Sequence, residues 1–128
     1  MSMGLCDKNN LIETLIELIK TPSITGEEKD IAEKVFRQLE QYGLTPKMDE
    51  YHNVLAEMGS GKTLLLNAHL DTVPPGEGWT FNPYSGKIMD GKIYGLGASD
   101  NKSGVTAMLE IARTESTFSS FRSVPMHM

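Results

Sequence analysis

Cysteine is nearly absent from this chain: Cys6 stands alone among 128 residues. A single thiol cannot close an internal disulfide, which excludes a cystine-stapled scaffold and points to a reducing, cytoplasmic setting. No apolar run approaches the ~18 residues of a membrane span. The opening MSMGLCDKNN has no basic stretch followed by an apolar core, so it does not read as a secretory signal. Basic residues are also short. Twelve Lys and Arg face seventeen Asp and Glu, for a net charge of −5 with no basic cluster. A chain without a concentration of positive charge is poorly suited to phosphate backbones or anionic membrane surfaces. No internal repeat is evident. What is present, 39% apolar residues in a chain of ordinary domain length, suffices for one hydrophobic core.

Periodicity predicts helices at three places. Leu11, Ile12, Leu15, Ile16 and Ile19 recur at helical spacing until Thr21-Pro22, since the residue before proline avoids helical angles. Thr25 and Glu28 have capping-box spacing. The stripe Ile31, Ala32, Val35, Phe36, Leu39, Tyr42 follows, closed by Gly43. Val105, Met108, Leu109 and Ala112 give a third face. Between these helices the pattern is short and strand-like. Leu44 to Tyr51 and Asn53 to Met58 read as strands, and Thr63 to His69 as a strand buried on both faces. Asp90-Gly91 marks a hairpin between 86–89 and 92–94. The aromatic loop with Trp79, Phe81 and Tyr84 is expected to pack on itself rather than stack on a ligand. The fold class expected is α/β, with helices packed on a mixed, partly parallel sheet.

Two places carry candidate chemistry. In an extended segment, residues two apart face the same side, so His69 and Asp71 can share one site. A metal-bound imidazole commonly gives its second N–H to a carboxylate. A plain hydrogen-bonded His–Asp pair satisfies the same spacing. Asp100 follows a loop containing Gly95 and Gly97, and carboxyl ends of strands gather ligands in open α/β sheets. One imidazole with carboxylates suits zinc, with cobalt or manganese possible. Equally, Asp100 could cap the helix that follows it.

The string His69-Leu-Asp-Thr-Val-Pro74 resembles a signature of the zinc exopeptidases and amidohydrolases that include acetylornithine deacetylase, succinyl-diaminopimelate desuccinylase, aminoacylase and carboxypeptidase G. Gly95-Leu-Gly-Ala-Ser-Asp-Asn-Lys-Ser-Gly104 is similar to a second signature, in the expected order. The opening Thr21-Pro22-Ser23-Ile24-Thr25-Gly26-Glu27-Glu28 fits too, and the similarity runs from about Leu11 to Ala112. The resemblance implies a site of two zinc ions, with His69 binding one, Asp100 bridging both, and Asp71 as the catalytic-site carboxylate that clamps the His69 imidazole. It also implies a cis peptide between Asp100 and Asn101. The substrate implied is a small N-acyl amino acid or short peptide, hydrolysed at an amide bond.

Departures matter as much. The family carries a Glu-Glu pair beyond the bridging aspartate, as general base and zinc ligand, and further ligands later. Here only Glu110 and Glu115 follow Asp100, and neither His52 nor His127 matches the distant histidine ligand. Residues 1–113 are therefore expected to form a partial metallohydrolase catalytic domain resembling the family's N-terminal part, inactive alone. Residues 114–128 are expected to be an irregular tail, disordered or frameshifted. An incomplete sheet would leave Leu64 to Leu66 and the Val105–Ala112 face short of partners and favour self-association. Two other readings compete. One is an inactive remnant that binds metal or a partner. The other is a phosphate-binding loop using Gly61, Lys62 and Thr63, which requires a helix directly after Thr63.

Overall fold

A computed structural model describes residues 6–116 and 126–127. Asp7 opens helix α1 (Lys8–Ile19), its carboxylate accepting from the amides of Asn9 and Asn10 at 3.0 and 3.2 Å. These bonds satisfy amides that a helix start leaves without partners. Helix α2 (Lys29–Gln41) buries Ile31, Ala32, Val35 and Leu39. It ends at Gly43, whose φ of +84° lets Leu44 N–H return to the Leu39 carbonyl at 3.1 Å. Strands β1 (Lys47–Met48), β2 (Val54–Ala56) and β3 (Leu66–Asn67) follow, then the hairpin β4 (Lys87–Met89) and β5 (Lys92–Tyr94). Asp90 and Gly91 both have positive φ, as its two-residue turn requires. Helix α3 (Lys102–Ser116) and strand β6 (Met126–His127) complete the described elements.

The larger sheet has the order β1-β2-β6-β3. β2 pairs antiparallel with β1 and β6, while β6 runs parallel to β3 in the register Leu66↔Met126, Asn67↔His127. The sheet is thus mixed and partly parallel. Its core joins Leu18 of α1, the α2 stripe, Val54 and Ala56 of β2, Ala68 and Leu70, and the α3 face Val105, Met108, Leu109 and Ala112.

Three expectations change. The strand expected over 63–69 shortens to Leu66–Asn67, with Leu64 and Leu65 58% and 55% exposed. Pairing explains the contraction, because β3 has a strand partner on one edge among the described residues. No helix follows Thr63, so Gly61, Lys62 and Thr63 do not form the start of a phosphate-binding helix. The expected capping box does not form either: Glu28 begins α2 without a side-chain cap, and its carboxylate accepts from Gly26 N–H instead. The irregular tail expected over 114–128 falls largely outside the described residues. Within them, α3 continues to Ser116 and Met126–His127 form β6.

The aromatic loop packs on its own neighbours. Phe81 meets Tyr94 edge-on at 5.1 Å, Lys87 sits over the Phe81 ring, and the Trp79 indole donates to the Pro75 carbonyl.

Glu110 ties the ends of two helices together. Its buried carboxylate accepts from Asp7 N–H and the Asn10 amide, each at 2.7 Å, and from the Arg113 guanidinium. The Arg113 bond is the largest influence holding its pKa down to about 2, against the opposing effect of burial. A carboxyl with a depressed folded-state pKa contributes stability above its unfolded value, which is lost as pH falls through the folded one. Urea unfolding from pH 7 to 2 should therefore show stability declining below about pH 5. Glu110→Gln should remove on the order of 2–3 kcal/mol at pH 7 and flatten that acid limb. Equal acid sensitivity in the two proteins would contradict the assignment.

Candidate metal centre

The site is assembled from three loop segments that the helices and sheet hold at one place. His69 and Asp71 follow β3 directly. Residues 23–25 run beside them as a short parallel bridge, Ile24 opposite Thr72. Thr72 N–H donates to the Ser23 carbonyl at 2.8 Å, and Thr25 N–H to the Thr72 carbonyl at 3.0 Å. Ser23 is fully buried and its hydroxyl donates to the Leu70 carbonyl. The third segment, Gly95 to Asp100, lies against Thr72. At Gly97, with φ of +76°, a Cβ would come within 2.7 Å of Thr72 Cγ2, so the close approach needs glycine.

His69 lies between two carboxylates. Its Nδ1 meets Asp71 Oδ1 at 3.1 Å and the Asp71 carbonyl at 3.0 Å, while Nε2 meets Asp100 Oδ1 at 2.9 Å. Ionised carboxylates only accept, so both ring nitrogens act as donors in this arrangement. Burial alone would lower the imidazole pKa, but the bond to Asp100 and the contacts with Asp71 outweigh it and the net shift is upward. The Asp71 carboxyl is shifted down, first by the Thr25 hydroxyl and also by His69. The side chains of His69, Asp71 and Asp100 are 50%, 32% and 89% exposed. With Thr25 and Gly97 they line one open depression of about 590 Å³.

These donors fit part of a zinc site. One imidazole nitrogen and one carboxylate oxygen face each other, and the second imidazole nitrogen already has its carboxylate. Two ligands bound at ~2.0–2.1 Å in tetrahedral geometry lie about 3.3 Å apart. The observed 2.9 Å is close to that spacing, and the exposed Asp100 carboxylate is free to open it. The set is not complete. Among the described residues, no group of three or more His, Cys, Asp or Glu side chains could hold a metal ion. His52 lies on the β1–β2 turn, and Glu110 is committed to Asp7, Asn10 and Arg113. Asp100 directs its carboxylate to His69, and the peptide from Asp100 to Asn101 is cis.

The chain matches the family model described as Peptidase family M20/M25/M40 over residues 65–121, a span holding His69, Asp71 and Asp100. It is 39% identical over 105 residues to succinyl-diaminopimelate desuccinylase of Wolinella succinogenes, covering 80% of this chain. This protein belongs to the M20/M25/M40 peptidase family. A second desuccinylase, from Methylorubrum extorquens, is 37% identical over 103 residues and 72% of the chain. The chain spans 29% and 27% of those two relatives, less than a third of either. The fold agrees with the family. Aminopeptidase PepT from Bacillus cereus superposes with a TM-score of 0.77 at 23% identity, over 95% of this chain and 36% of that one. Human carnosine dipeptidase 1 gives 0.73 at 23% identity, over 93% and 31%.

Two residues that shape this family member's site were not among the sequence candidates. Thr25, read as a helix cap, gives its hydroxyl to Asp71 Oδ2 at 2.5 Å. Lys102 is 1% exposed, and its ammonium donates to the carbonyls of Leu18 and Thr21 at 2.8 and 2.9 Å. Burial pushes its pKa down to about 8. Both residues lie inside strings that carry the family resemblance, so the signal was present without its meaning. Replacing Lys102 by Met keeps the aliphatic stem but leaves two carbonyls without that donor. The expected cost is on the order of 2–4 kcal/mol, read as a lower urea midpoint. A Lys102→Met protein as stable as the parent would show that the bonds contribute nothing.

Proposed function

We propose that this polypeptide supplies metal-binding residues to a zinc-dependent hydrolase that cleaves the amide bond of N-acyl amino acids or short peptides. The observation that carries the reading is the imidazole of His69, fixed at Nδ1 by Asp71 with Nε2 turned to the Asp100 carboxylate. The names of the similar proteins, desuccinylases and peptidases, support the substrate class.

In this reading His69 would hold zinc through Nε2, and Asp100 would supply a carboxylate ligand beside it. Asp71 holds the Nδ1 proton, which sets the tautomer and the plane of the ring. Zinc, when bound, polarises an amide carbonyl and lowers the pKa of a bound water. The hydrolysis also needs a base to take the water's proton and return it to the leaving amine. Asp71 and Asp100 are already occupied with the imidazole, and Glu110 is held in its own ion pair. We therefore place that base outside the described residues.

Zinc binding to the 128-residue chain, followed by equilibrium dialysis at constant pH, tests the assignment. We expect weak, saturable binding that falls at least tenfold in both His69→Ala and Asp100→Asn. Undiminished binding in either variant would contradict it. Hydrolysis of N-succinyl amino acids by this chain alone near an ordinary enzymatic turnover of ~10 s⁻¹ would contradict the placement of the base.

A further inference from the structure

We propose that Thr25 is a positioning residue of the metal centre: its hydroxyl locks the Asp71 carboxylate, which in turn sets the imidazole of His69. The inference rests on the zinc reading above and extends it one residue outward, to a segment more than forty positions away in the chain.

A threonine hydroxyl has one proton to donate. Two acceptors lie near it, Asp71 Oδ2 at 2.5 Å and the Thr72 carbonyl at 3.3 Å, and the shorter contact identifies the partner. The Thr72 carbonyl already receives Thr25 N–H at 3.0 Å. Asp71 thus has its two carboxylate oxygens assigned separately, Oδ1 to His69 Nδ1 at 3.1 Å and Oδ2 to Thr25, while its backbone carbonyl shares Nδ1 at 3.0 Å. This division matters because rotation about the terminal aspartate torsion is broad and nearly two-fold. With one oxygen held, the carboxylate could swing and carry the imidazole plane with it. With both held, any swing breaks a hydrogen bond.

The backbone around Thr25 is built to keep that contact. Thr25 sits in the parallel bridge between Ile24 and Thr72, with Ser23 buried behind it and bonded to the Leu70 carbonyl. Further back, the Lys102 ammonium grips the Thr21 carbonyl, four residues before Thr25, from the first turn of α3. A residue needed only to start α2 would not require this arrangement, and the Thr25 side chain makes no cap to α2.

The test compares the parent chain with Thr25→Val, Thr25→Ala and Thr25→Ser, measuring Zn²⁺ affinity by competition and the visible absorption of bound Co²⁺. Circular dichroism establishes that each protein is folded, and two donor-less variants guard against one failing to fold. Valine keeps the shape and removes the donor, whereas serine keeps the donor. We expect Thr25→Val and Thr25→Ala to bind Zn²⁺ about tenfold more weakly with an altered Co²⁺ spectrum, and Thr25→Ser to stay near the parent in both. Parent-like affinity and spectrum in a folded Thr25→Val or Thr25→Ala protein would overturn the inference while leaving His69 and Asp100 as ligands. Equal losses in the serine and valine variants would overturn it too, because packing of the methyl group would then explain the effect. Failure of the parent to bind either metal would refute the zinc reading, and this inference with it.

Discussion

One buried ammonium holds the two halves of the site in a fixed relation. Lys102 stands in the first turn of α3, two residues after Asp100, and reaches back to the Leu18 and Thr21 carbonyls where α1 ends. The chain leaving α1 at that point becomes the 23–25 segment that braces Asp71. A positive group among the last carbonyls of a helix is favoured by their partial negative charge. Here the same bonds fasten the loop before α3 to the segment after α1. Asp100 is thereby fixed relative to Thr25, Asp71 and His69, although these residues come from three separate stretches of sequence.

The second constraint is directional. The two nitrogens of an imidazole ring point in fixed, different directions, so fixing one side aims the other. Asp71, held by Thr25, fixes Nδ1, and Nε2 then faces Asp100 across 2.9 Å. The opening between β3 and the glycine loop leaves this pair accessible to a ligand, whereas the hydrogen-bonded backing behind it is protein. Glu110 belongs to a different task. Its bonds to Asp7, Asn10 and Arg113 fasten the start of α1 to α3, far along that helix from Asp100.

Local physics made much of this legible. Apolar spacing identified all three helices and the buried faces of α2 and α3, since amphipathic stripes depend only on near neighbours; in α1 the buried residues are Leu18 and Ile19, of which the stripe held only Ile19. Asp90-Gly91 identified the hairpin because positive φ is needed at both turn positions. His69, Asp71 and Asp100 were visible as motif residues. The roles of Lys102, Thr25 and Glu110 were not, because they depend on partners 81 and 84, 46, and 100 and 103 positions away. From the sequence, Thr25 reads as a helix cap, Glu110 as a helical acid, and Lys102 only as one position of the second signature. Strand β6 was hidden for a similar reason. Two residues without alternation become a strand only when β2 and β3 supply its hydrogen bonds.

The central claim is that His69 Nε2 and Asp100 converge on a metal. Crystals of the chain grown with Zn²⁺ and measured at the zinc absorption edge address it directly. The account predicts an anomalous peak ~2.0–2.2 Å from both His69 Nε2 and Asp100 Oδ1, with Nδ1 still bonded to Asp71. A zinc peak elsewhere, with His69 Nε2 remaining hydrogen-bonded directly to Asp100, would contradict it.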